Sequence, residues 1–171
     1  MQRTKLVSKI LFYITRILAA IYIAVTLYSV VCIMTGWSIG YYGEEEHFHI
    51  FYPFTRQVLM NVNNNTPYIL FEFLIPLSLY GIFFLLASNI FRIFHRPKLF
   101  TREGIQQLRI FYLANWLLPI GAVILAGIFA NIASLAFALV AIHFILGIFA
   151  YFLSAIFKQG LNLQNEQDLF I

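Results

Sequence analysis

The chain has 171 residues, 61% of them hydrophobic and only 11% charged, with a formal net charge of +4. A soluble domain carries roughly 25% charged residues, and a single domain of this length cannot hide so many Phe, Leu and Ile side chains behind so few charges. The composition therefore argues against a water-soluble fold, and the clustering of the basic residues at the ends of apolar runs, where they meet headgroups, argues against nucleic-acid binding.

The N-terminal segment holds Arg3, Lys5 and Lys9 and leads into a first apolar run from about Ile14 to Gly36. At 1.5 Å per residue this run crosses a hydrocarbon core of about 30 Å. It is too long for a cleaved secretory signal and ends in Gly-Trp-Ser without an Ala-x-Ala-like pair. Arg16, in the first turn of the run, reads as an interface anchor whose long side chain snorkels to the headgroups, with a buried functional cation as the alternative. The one cysteine, Cys32, supplies neither a disulfide nor a thiolate cluster, so it reads as a small packing residue.

From Trp37 to Thr66 the chain changes character. Gly40, Gly43, the run Glu44-Glu45-Glu46, Pro53 and the run Asn63-Asn64-Asn65 suit a solvent-facing loop, while Tyr41, Tyr42, Phe48, Phe51, Tyr52 and Phe54 suit the membrane interface. A short helix around Phe54 to Val62 is expected there. His47 and His49 would face the same way in an extended segment, but two imidazoles without a third placed ligand do not make a metal site.

A second span is expected over about 67–93, with Pro67 at its start and Pro76 in its interior, where a proline kinks the helix or demands compensation. Glu72 is the one acidic residue inside a predicted span. Near the outer end it reads either as a structural, interfacial group or as a cation or proton site, with Pro76 one turn on.

The basic connection 94–107 follows, and Arg96, Lys98, Arg102 and nearby Arg109 are the candidate contacts at the cytoplasmic face. Thr101 suits an N-cap, with Glu103 in the first helical turn. Ile110 to Phe157 contains no Asp, Glu, Lys or Arg. One helix of that length would exceed twice the hydrocarbon thickness, so two spans are expected, about 108–130 and 132–157, turning near Asn131.

Span three carries the stripe Asn115, Pro119, Ala122, Ala126 and Ala130, and span four carries His143, Gly147, Ala150 and Ser154. Both patterns predict close helix approach through small residues. His143 reads either as bonded to a neighbouring helix or as a ligand, quinone or proton site. Gly160 is the expected C-cap, followed by a tail, 158–171, that folds back so that Glu166 and Asp168 meet the basic connection.

Counting the basic residues of each segment places both ends in the cytoplasm and the aromatic loop outside. The expected fold is all-α: a four-transmembrane-helix bundle with antiparallel neighbours, N-in and C-in, in one membrane domain. No phosphate loop, His-Glu-x-x-His pair or nucleophile elbow occurs. The expectation is a non-enzymatic protein without cofactor or metal that binds, senses or joins a membrane complex. Its expected partners are membrane lipids, a membrane or regulatory protein, or a second copy of itself. The alternative is a small transporter or channel component using Glu72 and His143.

The stretch Lys98-Leu-Phe-Thr-Arg-Glu-Gly-Ile-Gln-Gln-Leu-Arg109, with Phe100, Glu103, Leu108 and Arg109, resembles the entry to the third helix in the bacterial membrane proteins grouped as domain of unknown function 2975. The ending is similar too, at Lys158, Gly160, Leu163, Glu166, Asp168, Leu169 and Ile171, with departures at Gln167, where Asn is usual, and at Phe170, where Thr is usual. The resemblance implies four helices in a bacterial cytoplasmic membrane, in the neighbourhood of small helix-turn-helix regulators, and carries over no catalytic residue.

Overall fold

A computed structural model describes residues 2–129 and 134–168. The order of elements is α1 (Gln2–Thr35), β1 (Ile39–Tyr42), β2 (His47–Phe51), β3 (Val58–Asn63), a π-helical segment (Tyr68–Leu74), α2 (Ile75–Phe94), α3 (Arg102–Phe129) and α4 (Ser134–Asp168). Four helical stretches, Arg3–Thr35, Tyr68–Phe94, Arg102–Phe129 and Ala136–Gln167, are long and apolar enough to cross a membrane. The expected turn near Asn131 falls outside the described residues.

Segment 37–66 corrects the all-α expectation. It forms an antiparallel sheet in the order β1-β2-β3, pairing Tyr41 with Phe48 and Phe48 with Val62. Instead of a helix over Phe54 to Val62 there is a turn, with Phe54 at φ 60°, and then strand β3. The reason lies in β2, His-Phe-His-Ile-Phe, whose residues alternate between a face that is fully buried and one that is half-buried. Phe48, Ile50 and Val62 pack against Cys32 and are joined by Tyr28, Tyr68 and Phe73, so the sheet sits on the end of α1 and on the π-helical segment. Gly36, at φ +69°, closes α1 by donating its N–H to the Cys32 carbonyl at 2.8 Å. Asn64 ties the β1–β2 turn down, its backbone N–H donating to Glu46 O (2.7 Å) and its side-chain amide to Glu45 O (2.9 Å).

The helix bounds also shift. α1 begins at Gln2, so its 34 residues reach about 51 Å and the basic N-terminal segment is part of the helix. Pro76 lies within the first two residues of α2, after a stretch of wide turns in which Ile75 N–H reaches back to Leu70 O. A proline cannot donate to the carbonyl four residues back and its ring crowds that carbonyl. The wide register is the compensation.

Gly160 does not end α4, which continues to Asp168. The expected fold-back of the tail is therefore corrected for the described residues 158–167. Gly160 serves a close approach: a Cβ there would lie 2.7 Å from the Phe100 ring, which comes in from the connection. At this end Ile93, Leu108 and Phe157 form a second buried cluster. α1 packs chiefly on α2, α4 chiefly on α3, and the two pairs meet along α2 and α3.

Candidate functional site

His143 and Asn115, expected on separate stripes, are brought together by the packing of α4 on α3. Nδ1 of His143 lies 2.7 Å from Oδ1 of Asn115, and the Asn115 amide donates to the Phe111 carbonyl at 2.8 Å. That carbonyl can only accept, so the amide nitrogen faces it and the amide oxygen faces the imidazole. The oxygen can only accept as well, so Nδ1 of His143 carries the proton. Nε2 is left as the ring nitrogen with no partner among the described residues. Asn115 is 5% exposed, and the Phe83 ring stands edge-on to the imidazole, with centroids 5.1 Å apart.

The pair lies in the wall of a groove of about 130 Å³ where α2 faces the α3–α4 pair. Phe83 and Leu86 of α2, Ala122 and Ala126 of α3, and Leu139 and Val140 of α4 contribute to its lining. Pro119, Ala122 and Ala126 thus correct the expectation of close approach through the α3 stripe: their small side chains leave space on the side of α2. The α4 stripe meets its expectation. Gly147 lies against the Trp116 indole, which donates to Phe144 O at 3.2 Å, and Ala150 is buried.

Glu72 is exposed and lines a second hollow, of about 610 Å³, with Glu46, His47, Asn63, Asn64 and Asn65. Among the described residues it shares no cavity with His143. Between the two hollows stand Phe71, in the wall of the groove, and Phe129, in the wall of the polar hollow. Their rings stack with centroids 5.9 Å apart and planes 8° apart.

His47 and His49 do share one face of β2. His49 bonds Asn61 through Nδ1 at 2.6 Å and stacks on Tyr42 at 4.1 Å, and no cluster of three or more metal-ligating side chains occurs among the described residues. Arg16 is exposed and its guanidinium is 3.5 Å from Oγ of the buried Ser88 on α2.

At the basic end Thr101 caps α3 as expected, its Oγ1 accepting from Gly104 N–H at 3.0 Å. The acidic partner of the connection is Glu103, which bonds Arg96 and lies 3.5 Å from Arg92. The hydrogen bond from Arg96 is the main reason that its carboxyl is held below the usual carboxylate range. Lys98, Arg102 and Arg109 are exposed and form no ion pair among the described residues. Glu166 is exposed on the last turns of α4 and likewise unpaired there, which corrects its expected contact with the connection. The Asp168 side chain and Leu169, Phe170 and Ile171 fall outside the described residues. The groove is the feature that the sequence least discloses, since its walls come from three helices and only the α3 stripe hints at missing volume. Comparison with known proteins gives no match to a family model, to a curated protein or to a solved structure.

Proposed function

We propose that this is a non-enzymatic, multi-pass membrane protein that binds or senses a lipophilic molecule drawn from the bilayer. The observation that carries this reading is the pair His143–Asn115 in the wall of an otherwise apolar groove. Polar side chains at membrane depth are costly and concentrate where they meet a partner or a cavity. Here Asn115 fixes the imidazole, and Nε2 is the group left for a ligand.

In this proposal both termini lie on the cytoplasmic side of a bacterial inner membrane and neighbouring helices run antiparallel. Support comes from the basic residues of α1 and of the α2–α3 connection, set against the three glutamates of the sheet. The resemblance of Lys98–Arg109 and of the chain's ending to domain of unknown function 2975 belongs to the same reading. The exposed end of α4, with Glu166, is where a regulatory or membrane partner, or a second copy, would sense occupancy of the groove.

The test is photolabelling of the full chain in nanodiscs with a phospholipid bearing a diazirine in its acyl chain. Adducts are expected on the groove residues Leu86, Val123 and Val140, and should fall sharply in Ala122→Trp, which fills the groove. Equal labelling around all four helices, unaffected by that substitution, refutes the proposal.

A further inference from the structure

A pair of stacked rings, Phe71 of the groove wall and Phe129 of the polar hollow, links the linings of the two hollows described above. Phe71 and Glu72 are consecutive residues of the π-helical segment, yet Phe71 lines the apolar groove and Glu72 the polar hollow. On the facing helix, Phe129 closes the polar hollow and stacks on Phe71. We infer that the groove and the polar hollow are the tail and head subsites of one amphiphile carrying a protonated amine, and that Phe71 and Phe129 part to let its chain pass. The inference rests on the groove-binding reading and adds the ligand's head and orientation to it.

Three observations support it. The polar hollow has the wrong lining for a second tail: Glu46, Glu72 and the run Asn63 to Asn65 contribute acceptors beside His47, and among the described residues no lysine or arginine lines it. An amine suits such a lining, because an ammonium has three donors and no acceptor. A bare metal ion fits less well, since no three metal-ligating side chains cluster among the described residues.

The dimensions agree as well. Along α3 the groove runs from Ala126 to Asn115, roughly 16 Å at the helical rise, which accommodates a single alkyl chain. The stacked rings are a small barrier to part, because an aromatic pair contributes only about 0.5–1.5 kcal/mol beyond the area it buries. The wide-turn segment that carries both Phe71 and Glu72 is a form of helix that recurs at functional sites.

Two matched probes decide the question: a dodecyl chain bearing a terminal diazirine, with a primary amine as head in one and a carboxylate in the other. They are applied to the full chain in neutral nanodiscs at pH 7, and adducts are mapped by peptide mass spectrometry. The amine probe should label groove residues at about a tenth of the concentration that the acid needs, the factor that one charge-assisted hydrogen bond supplies. Glu72→Gln with Glu46→Gln should remove that preference while the acid probe still labels the groove. Phe71→Ala should speed labelling by both. Equal groove labelling by the two heads overturns the head assignment and leaves groove binding standing. Absence of groove adducts from either probe, in a protein whose circular dichroism is unchanged, overturns both readings.

Discussion

Replacing Gly147 by alanine adds one methyl group at the tightest point between α3 and α4. The new Cβ would fall on the Trp116 indole, against Nε1, 2.5 Å from Cδ1 and 3.0 Å from Cε2. Ordinary contact between such atoms begins near 3.5 Å, so the ring must retreat by about 1 Å. The ring is hemmed in by Tyr112, Phe144 and Tyr151, with centroids 5.1 to 6.2 Å away, and it donates to Phe144 O. Overpacking of this kind costs about 1–3 kcal/mol, and loss of the indole bond adds about 0.6 kcal/mol inside a membrane. Alanine returns up to about 1 kcal/mol through helix propensity. The net expectation is a loss of about 1–3 kcal/mol.

The assay is reversible unfolding in bicelles by titration with dodecyl sulfate, followed by tryptophan emission. The chain has two tryptophans, so Trp37→Phe leaves Trp116 as sole reporter. A double-mutant cycle sharpens the result, with all four proteins followed by circular dichroism because the arms without Trp116 lack the emission reporter. In a Trp116→Ala background the obstacle is gone, and Gly147→Ala should become neutral or stabilising. An equal cost in both backgrounds would refute the contact, as would unchanged stability with unchanged emission in the single variant.

Thr101→Ala should cost about 1 kcal/mol by removing the cap on Gly104 N–H, and Thr101→Ser should restore most of it in the same titration. Because Glu103 has a depressed folded-state value, its contribution is fully present above the unfolded carboxylate value of about 4.3 and is lost as pH falls through the folded one. Protection factors of the amides over Arg92 to Ile105, corrected for the intrinsic pH dependence of exchange, should therefore fall on acidification through that window, and Glu103→Gln should flatten the profile; an acid limb that survives the substitution would assign it to another group. Asn115→Leu should free the His143 ring and lower stability by about 0.6–1.7 kcal/mol, while His143→Leu in that background should cost little more. Cysteines at Ser38 and Gln164, with Cys32 replaced, should react with an impermeant thiol reagent from opposite sides of the membrane; reaction from one side refutes the proposed orientation.

The four apolar spans are legible in the sequence because length and hydropathy alone decide whether a helix can cross a bilayer, and both are local properties. The sheet is half legible. His47 to Phe51 alternates as a strand should, but among so many aromatic residues the alternation does not stand out from an interfacial loop. Gly160 misleads because glycine serves both helix ends and close approaches, and only the position of Phe100 distinguishes them. Glu103 is recognisable as a first-turn acid, whereas its partners Arg92 and Arg96 depend on how α2 and α3 meet. His143 and Asn115 each stand out as polar residues in apolar runs, but their pairing depends on the rotation of α3 against α4, which small-residue stripes leave open. The groove is a property of volume that is missing between three helices, and no single segment encodes it.

The arrangement of the helices into two neighbouring pairs bears on how the chain is made. α1 packs on α2 and the sheet on the end of α1 and the π-helical segment, all within the first half of the sequence, and α3 packs on α4 within the second, while the joint between the halves is the thinner one along α2 and α3. A ribosome delivers the first half complete before α3 emerges. Because most contacts are made between sequence neighbours, that half can reach its final packing during synthesis without waiting for distant segments. The groove then comes into being only at the last step, when the second pair arrives in a bilayer already filled with lipid, so its first occupant is set by whatever surrounds the chain at that moment.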